Sequence, residues 1–326
     1  MSDLSTPLTC YSPSGTVPIW GAVLTFLKGV VLGSILAAVY AFANYHNPIV
    51  YLNVLLCSGF GSLLGWFVAK DVRRFHIRGV FGAGAIALAV CAISTVVHWF
   101  FYVATVVVAW GTSSPYDVTE VARAVFLLVE APSYCWELIL LLNETGVWSL
   151  GRLGSSRSGL EIKGLLLAAI WAAEALVLLW FSLAKPMRQA GMPYSERGQD
   201  WIAEKNLPKP VAFIKDPEGF KSALARGDYS ALTRPPQSGD EESGEAQTQP
   251  SSYAVVTLYS DLFEPYVSVK NVSGSVKQPK KSRILQKIFS WLWGSSDQEE
   301  SFSYIVRYLK ISPTVAREIE SSLGSF

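Results

Sequence analysis

Residues 79–110 read GVFGAGAIALAVCAISTVVHWFFYVATVVVAW and contain no Asp, Glu, Lys or Arg. As a helix rising about 1.5 Å per residue, this run exceeds the roughly 30 Å hydrocarbon core of a bilayer, so it must tilt, protrude or bend. It is read as a membrane span, and the rest of the chain is read outward from it.

Three more segments reach the roughly 20 apolar residues that a spanning helix needs. They cover about 18–43, broken only by Lys28; about 49–69; and about 162–184, which holds Glu174. No basic region of the kind that opens a cleaved signal peptide precedes the first, so it is expected to be retained. The chain is 16% charged, against about a quarter for a soluble domain. The deficit is uneven. Residues 1–184 hold nine Lys or Arg and nine Asp or Glu, whereas 185–326 hold eighteen and seventeen. Neither half has the net charge of a nucleic-acid-binding protein.

Short cytoplasmic loops collect Lys and Arg. The segment 44–48 has no formal charge, while Lys70, Arg73, Arg74 and Arg78 crowd the next connection. The third connection leans acidic, and Lys185 and Arg188 follow the fourth span. This pattern predicts both termini on the cytoplasmic side. A fifth span over 121–142 would embed Arg123, Glu130 and Glu137, each at about 2.5–3.5 kcal/mol near the membrane centre. Two amphipathic helices, Thr119–Ala131 and Ser133–Leu142, broken at Pro132 and lying on the outer surface, are expected there instead, within an outer loop 112–161.

Gly29, Gly33 and Ala37 recur at four-residue spacing in the first span, and Gly61 and Gly65 do so in the second. Small residues at this spacing let helices approach closely in lipid. The stripes predict packing within one bundle or against another membrane protein or a second copy. Glu174 is the most informative polar residue, because an unpaired carboxylate at that depth is costly. Lys28 and His98 are its candidate partners. The three together form a buried polar clamp or part of a proton or ion route, or else Lys28 snorkels to the cytoplasmic interface and Glu174 is neutral.

The polar half divides further. Residues 185–234 are expected to form a cytoplasmic arm or subdomain with a short helix from Pro217 to Arg226. Residues 235–251 have the composition of a disordered acidic linker. Beyond it, 252–326 are expected to form a small α+β domain. Tyr253–Tyr259 and Tyr266–Val272 read as a hairpin and Phe302–Ile311 as a further strand. The last helix is punctuated by Ser312 as N-cap, Pro313 at its first position and Gly324 past its end. Between the strands, Lys270, Lys277, Lys280, Lys281, Arg283 and Lys287 occur with no acid, and a short helix over 283–293 ends in Trp291 and Trp293. A basic amphipathic segment on the cytoplasmic side predicts contact with anionic lipid headgroups.

The four cysteines, Cys10, Cys57, Cys91 and Cys135, form no disulfide framework, and the histidines have no metal-site spacing. No zincin, phosphate-loop or nucleophile-elbow motif occurs. No cofactor, metal or catalytic residue is predicted. The sequence therefore reads as an inner or plasma membrane protein, a four-helix transmembrane bundle carrying a small cytoplasmic α+β domain. A non-enzymatic scaffold or interaction role is the leading expectation. The alternatives are a small transporter or channel built around Glu174, and a membrane enzyme with an outward acidic site at Glu130 and Glu137.

Overall fold

The computed structural model describes residues 8–47, 50–111, 117–146, 148–150, 160–234, 252–261, 263–273 and 301–324. They form two compact units: a helical unit, Gly15–Ala190, and a mixed unit made from the described parts of Met1–Ser14 and Gly191–Phe326. Residues 235–251, expected as an acidic linker, and 283–293, expected as a short helix, lie outside the described residues.

The helical unit holds four helices long and apolar enough to cross a membrane: α1 (Ile19–Tyr45), α2 (Val50–Arg74), α3 (Val80–Gly111) and, after two shorter helices, α6 (Leu165–Ala190). Two of them outrun their apolar cores. α2 continues through Lys70 to Arg74, which places Arg73 and Arg74 in its last turn, where cations complement the exposed carbonyl end. α6 continues past Lys185 and through Pro186, which removes one backbone hydrogen bond near the helix end without stopping the helix.

α2 ends in a Schellman turn, a pattern that satisfies the last carbonyls. The Ile77 N–H donates to the Val72 carbonyl at 3.0 Å, and Val72 and Ile77 are both fully buried. His76 occupies the left-handed position of this turn, with φ 52°, where glycine is usual.

Helix directions follow from the contacts. A Cβ on Gly29 would lie 2.7 Å from Val90, and one on Gly33 would meet Ser94, so α1 and α3 run parallel. Gly61 lies against Leu178 and Gly65 against Phe181 and Ser182, so α2 and α6 also run parallel. The stripes therefore serve contacts inside this chain. α3 and α6 are antiparallel: Gly84 faces Met187, and Trp99 meets Trp171 at 4.9 Å.

That antiparallel contact fixes what lies between them. α4 (Val118–Glu130) and α5 (Pro132–Thr145) bend by 111° at Ala131 and return the chain to the end at which α3 finished. The pair is thus no fifth pass through the bundle. Asp117 caps α4 by accepting the Thr119 and Glu120 N–H groups at 3.0 and 3.2 Å, and Pro132 stands at the start of α5, where its missing N–H costs nothing. A short hairpin, β1 (Trp148–Leu150) with β2 (Leu160–Ile162), precedes α6.

The mixed unit is larger than 252–326. After the two-residue ribbon β3 (Tyr194–Ser195) and β4 (Asp200–Trp201), strand β5 (Glu204–Asn206) joins an antiparallel sheet of order β5-β6-β7-β8. The other members are β6 (Ser252–Tyr259), β7 (Tyr266–Ser273) and β8 (Ser301–Lys310). Residues preceding the first long helix extend the far edge. The Tyr11 N–H donates to the Tyr308 carbonyl at 2.8 Å, and the Lys310 N–H donates to the Thr9 carbonyl at 2.9 Å.

Strand alternation sends Ala254, Val256, Leu258, Val267 and Val269 to one face. There they pack with Phe220 and Leu224 of α7 (Pro217–Ala225) and with Ala316, Ile319 and Leu323 of α8 (Pro313–Leu323). On α8, Ser312 Oγ accepts the Val315 N–H at 3.3 Å. A second cluster gathers Tyr11, Met192, Ile202, Tyr259, Tyr266 and Tyr308.

Candidate functional site in the helical unit

Glu174 lies on α6, one helical turn from the α2 contacts made by Leu178. Its carboxylate accepts a hydrogen bond from the side-chain amide of Asn53, which is fully buried on α2. One turn along α2, the Cys57 thiol donates to the Glu174 backbone carbonyl at 3.1 Å and is also hydrogen-bonded to the Tyr40 hydroxyl of α1. The Tyr40 ring stacks on Phe60 at 5.0 Å and sits 4.5 Å from the His98 ring of α3. His98 bonds the Ala37 backbone carbonyl, and Tyr102 follows one turn later with its ring 5.9 Å from His98.

All four long helices therefore contribute to one polar patch within an apolar unit. Each side chain is aimed inward by the close helix approach that Gly29, Gly33, Ala37, Gly61 and Gly65 allow. Larger residues there would push Asn53 away from Glu174 and His98 away from Ala37.

Of the three polar residues singled out in the sequence, the structure brings only two to this patch. Lys28 does not reach Glu174. It pairs with Asp71 near the far end of α2, at 2.6 Å, and its ammonium lies 5.9 Å from the Phe75 ring. His98 belongs to the patch through Tyr40. Among the described residues Glu174 forms no ion pair, and its side-chain partner is the neutral amide of Asn53.

Asn53, Cys57 and Tyr40 were not anticipated. A lone Asn in an apolar run carried a signal, because a buried amide must find a partner. Asp71 was obscured by the basic residues around it, Lys70, Arg73 and Arg74. Several buried polar atoms have no hydrogen-bond partner: Asn53 Oδ1, Asn44 Oδ1, Ser94 Oγ and His98 Nδ1. With Nδ1 unpartnered, the His98 donor to Ala37 is Nε2, which leaves Nδ1 as an acceptor. The patch thus offers acceptors and one carboxyl. Such a set can hold a proton or position a water molecule.

Elsewhere, Glu130 and Glu137 are both exposed and stand on different arms of the bent α4–α5 pair. Among the described residues no group of three or more His, Cys, Asp or Glu is arranged to hold a metal ion. Lys270 lies in β7 opposite Tyr304. Lys277, Lys280, Lys281, Arg283, Lys287, Trp291 and Trp293 lie outside the described residues. Compared with protein-family models, with curated proteins and with solved structures, the chain gives no match.

Proposed function

We propose that this chain is a multi-pass protein of the inner or plasma membrane whose four spans carry an interaction domain at the cytoplasmic face. The observation that carries the reading is the shared fold of the two ends. Thr9 and Tyr11 precede the first span, and Tyr308 and Lys310 follow the last, yet they are hydrogen-bonded in one sheet. Residues on opposite sides of a bilayer cannot do this, which supports an even number of crossings. The basic residues at the α2–α3 connection put that side in the cytoplasm.

What supports a contact role is a folded core with an exposed Tyr304 on β8 and an exposed Phe263 in the β6–β7 loop. The basic segment from Lys270 to Lys287 is read as a contact with anionic headgroups. A photo-crosslinking residue at Tyr304 or Phe263 of the full chain, in intact cells, tests the role. A defined protein adduct that is absent when the probe replaces the outward Trp180 of α6 is expected. Lipid adducts alone, or none, would overturn it.

A second reading is favoured by one specific observation: among the described residues, the side-chain partner of Glu174 is the neutral amide of Asn53. In it the polar patch serves a proton- or ion-linked transporter or channel, since ionisable groups within spans often mark such routes. Purified protein in proteoliposomes would then show pH-dependent flux that Glu174→Gln abolishes. A wild type without flux under imposed gradients eliminates it.

A further inference from the structure

The bend at Pro132 leaves a cavity of about 430 Å³ between α3, α5 and α6. Trp99 and Trp171, packed edge to face, sit along it, with Phe100, Ile139 and Cys135 on its sides and Asn143 among its lining residues. The lining is almost wholly apolar. Ligand cavities occupy about 300–1,000 Å³ and usually add several placed polar groups to such walls. Here the Asn143 Nδ2 already donates to the Gly164 carbonyl at 3.0 Å, and the Asn143 backbone carbonyl accepts the Gly164 N–H at 2.8 Å.

The chemistry of the occupant follows by elimination. A peptide, sugar or ion would lose its hydrogen bonds to water and find few replacements, which is costly. A partner helix could enter by one turn at most, since a turn with side chains, about 10 Å across and 5.4 Å tall, takes up roughly the whole volume. A hydrocarbon chain meets both limits. The rim is apolar as well, since the lining residues Val96 and Leu140 are themselves exposed.

We propose that this cavity holds one acyl chain of a bilayer phospholipid. The inference rests on the membrane reading above. It gives α5 a role, namely to wall off a lipid chain against α3 and α6.

The test uses the full chain in nanodiscs containing a phospholipid with a photoreactive group in its acyl chain. Peptides covering 96–100 and 135–143 are expected to be labelled, and labelling is expected to persist after the surrounding lipid is exchanged for detergent. Ala168→Trp, which fills the cavity, should lose that retained label while keeping label at the outward Leu176 and Trp180. Ile139→Phe serves as a milder filling variant should Ala168→Trp fail to fold. Label at Leu176 and Trp180 without retained label in the cavity overturns this proposal alone. Adducts between two copies at the cavity also overturn it. No label on any long helix overturns the membrane reading itself.

Discussion

Asn53 donates its amide N–H to the Glu174 carboxylate across the α2–α6 contact, so the most anomalous acid in the chain is met by a neutral partner. Removing one side of a buried hydrogen bond leaves the other unsatisfied, at about 1–3 kcal/mol. Asn53→Ala is therefore expected to lower stability in detergent by that amount. Glu174→Gln keeps an acceptor and should stay within about 1 kcal/mol of wild type. Thermal unfolding of the two variants and of the double variant checks the pair, and equal losses from both single changes would contradict the assignment.

The glycine contacts differ in what opposes them. A Cβ at Gly65 would stand 2.5 Å from the Phe181 carbonyl oxygen and 3.0 Å from that of Ser182, and backbone cannot turn aside. At Gly29 the obstacle is the Val90 side chain, which can adjust. Gly65→Ala should accordingly lose about 1–3 kcal/mol, the range for overpacking, and Gly29→Ala distinctly less. The order of the two unfolding midpoints is the measurement.

His76 holds a left-handed backbone conformation that costs an L-residue roughly 1–2 kcal/mol. His76→Gly removes that strain while keeping the turn that buries Ile77 and Val72. A gain of about 1 kcal/mol is expected, less the extra freedom glycine has when unfolded. A loss on this substitution would mean that the imidazole contributes more than the strain.

How much of this was legible depends on the range of the interaction that decides it. The four long helices, the break at Pro132 and the cap at Ser312 rest on local composition and could be read directly. The pairing of Lys28 with Asp71 could not, because Asp71 lies in a basic stretch and its role depends on α1 lying beside α2. Asn271 makes the same point. Its amide accepts the Ile214 N–H and donates to the Ile214 carbonyl, at 3.1 and 2.8 Å, so a side chain of the central strand β7 ties down the backbone at Ile214. Nothing local to Asn271 announces a partner so distant in sequence. The recruitment of Thr9 and Tyr11 to the sheet edge escaped for the same reason.

Asp261 links the β6–β7 loop to the ribbon before the sheet. Burial alone would raise its carboxyl, but the Ser195 hydroxyl and the N–H groups of Phe263 (2.7 Å) and Glu264 (2.5 Å) hold it below its ordinary value of 3.8. A carboxyl lowered on folding contributes stability that is present above its unfolded value and is lost as pH falls through the folded one. The loop should therefore open in acid, below about pH 4. Hydrogen exchange at Phe263 and Glu264 should accelerate there, and Asp261→Asn should abolish that pH dependence while loosening the loop at neutral pH.

The N-terminal edge gives the sharpest test of the mixed unit. Tyr11 donates its N–H to Tyr308 and sets its ring edge-on to Tyr266 and Tyr308, at 5.6 and 6.3 Å. Each aromatic pair of this kind contributes about 0.5–1.5 kcal/mol beyond burial. Tyr11→Pro removes the N–H and both rings' contacts, so the adjoining bond from Lys310 to Thr9 should open more often. Faster hydrogen exchange is expected at Lys310, with the β6–β7 amides unchanged because Val256 and Val269 stay buried in the main core. Unchanged exchange at Lys310 would detach the N-terminal segment from the sheet, and with it the argument that both ends of the chain share one side of the membrane.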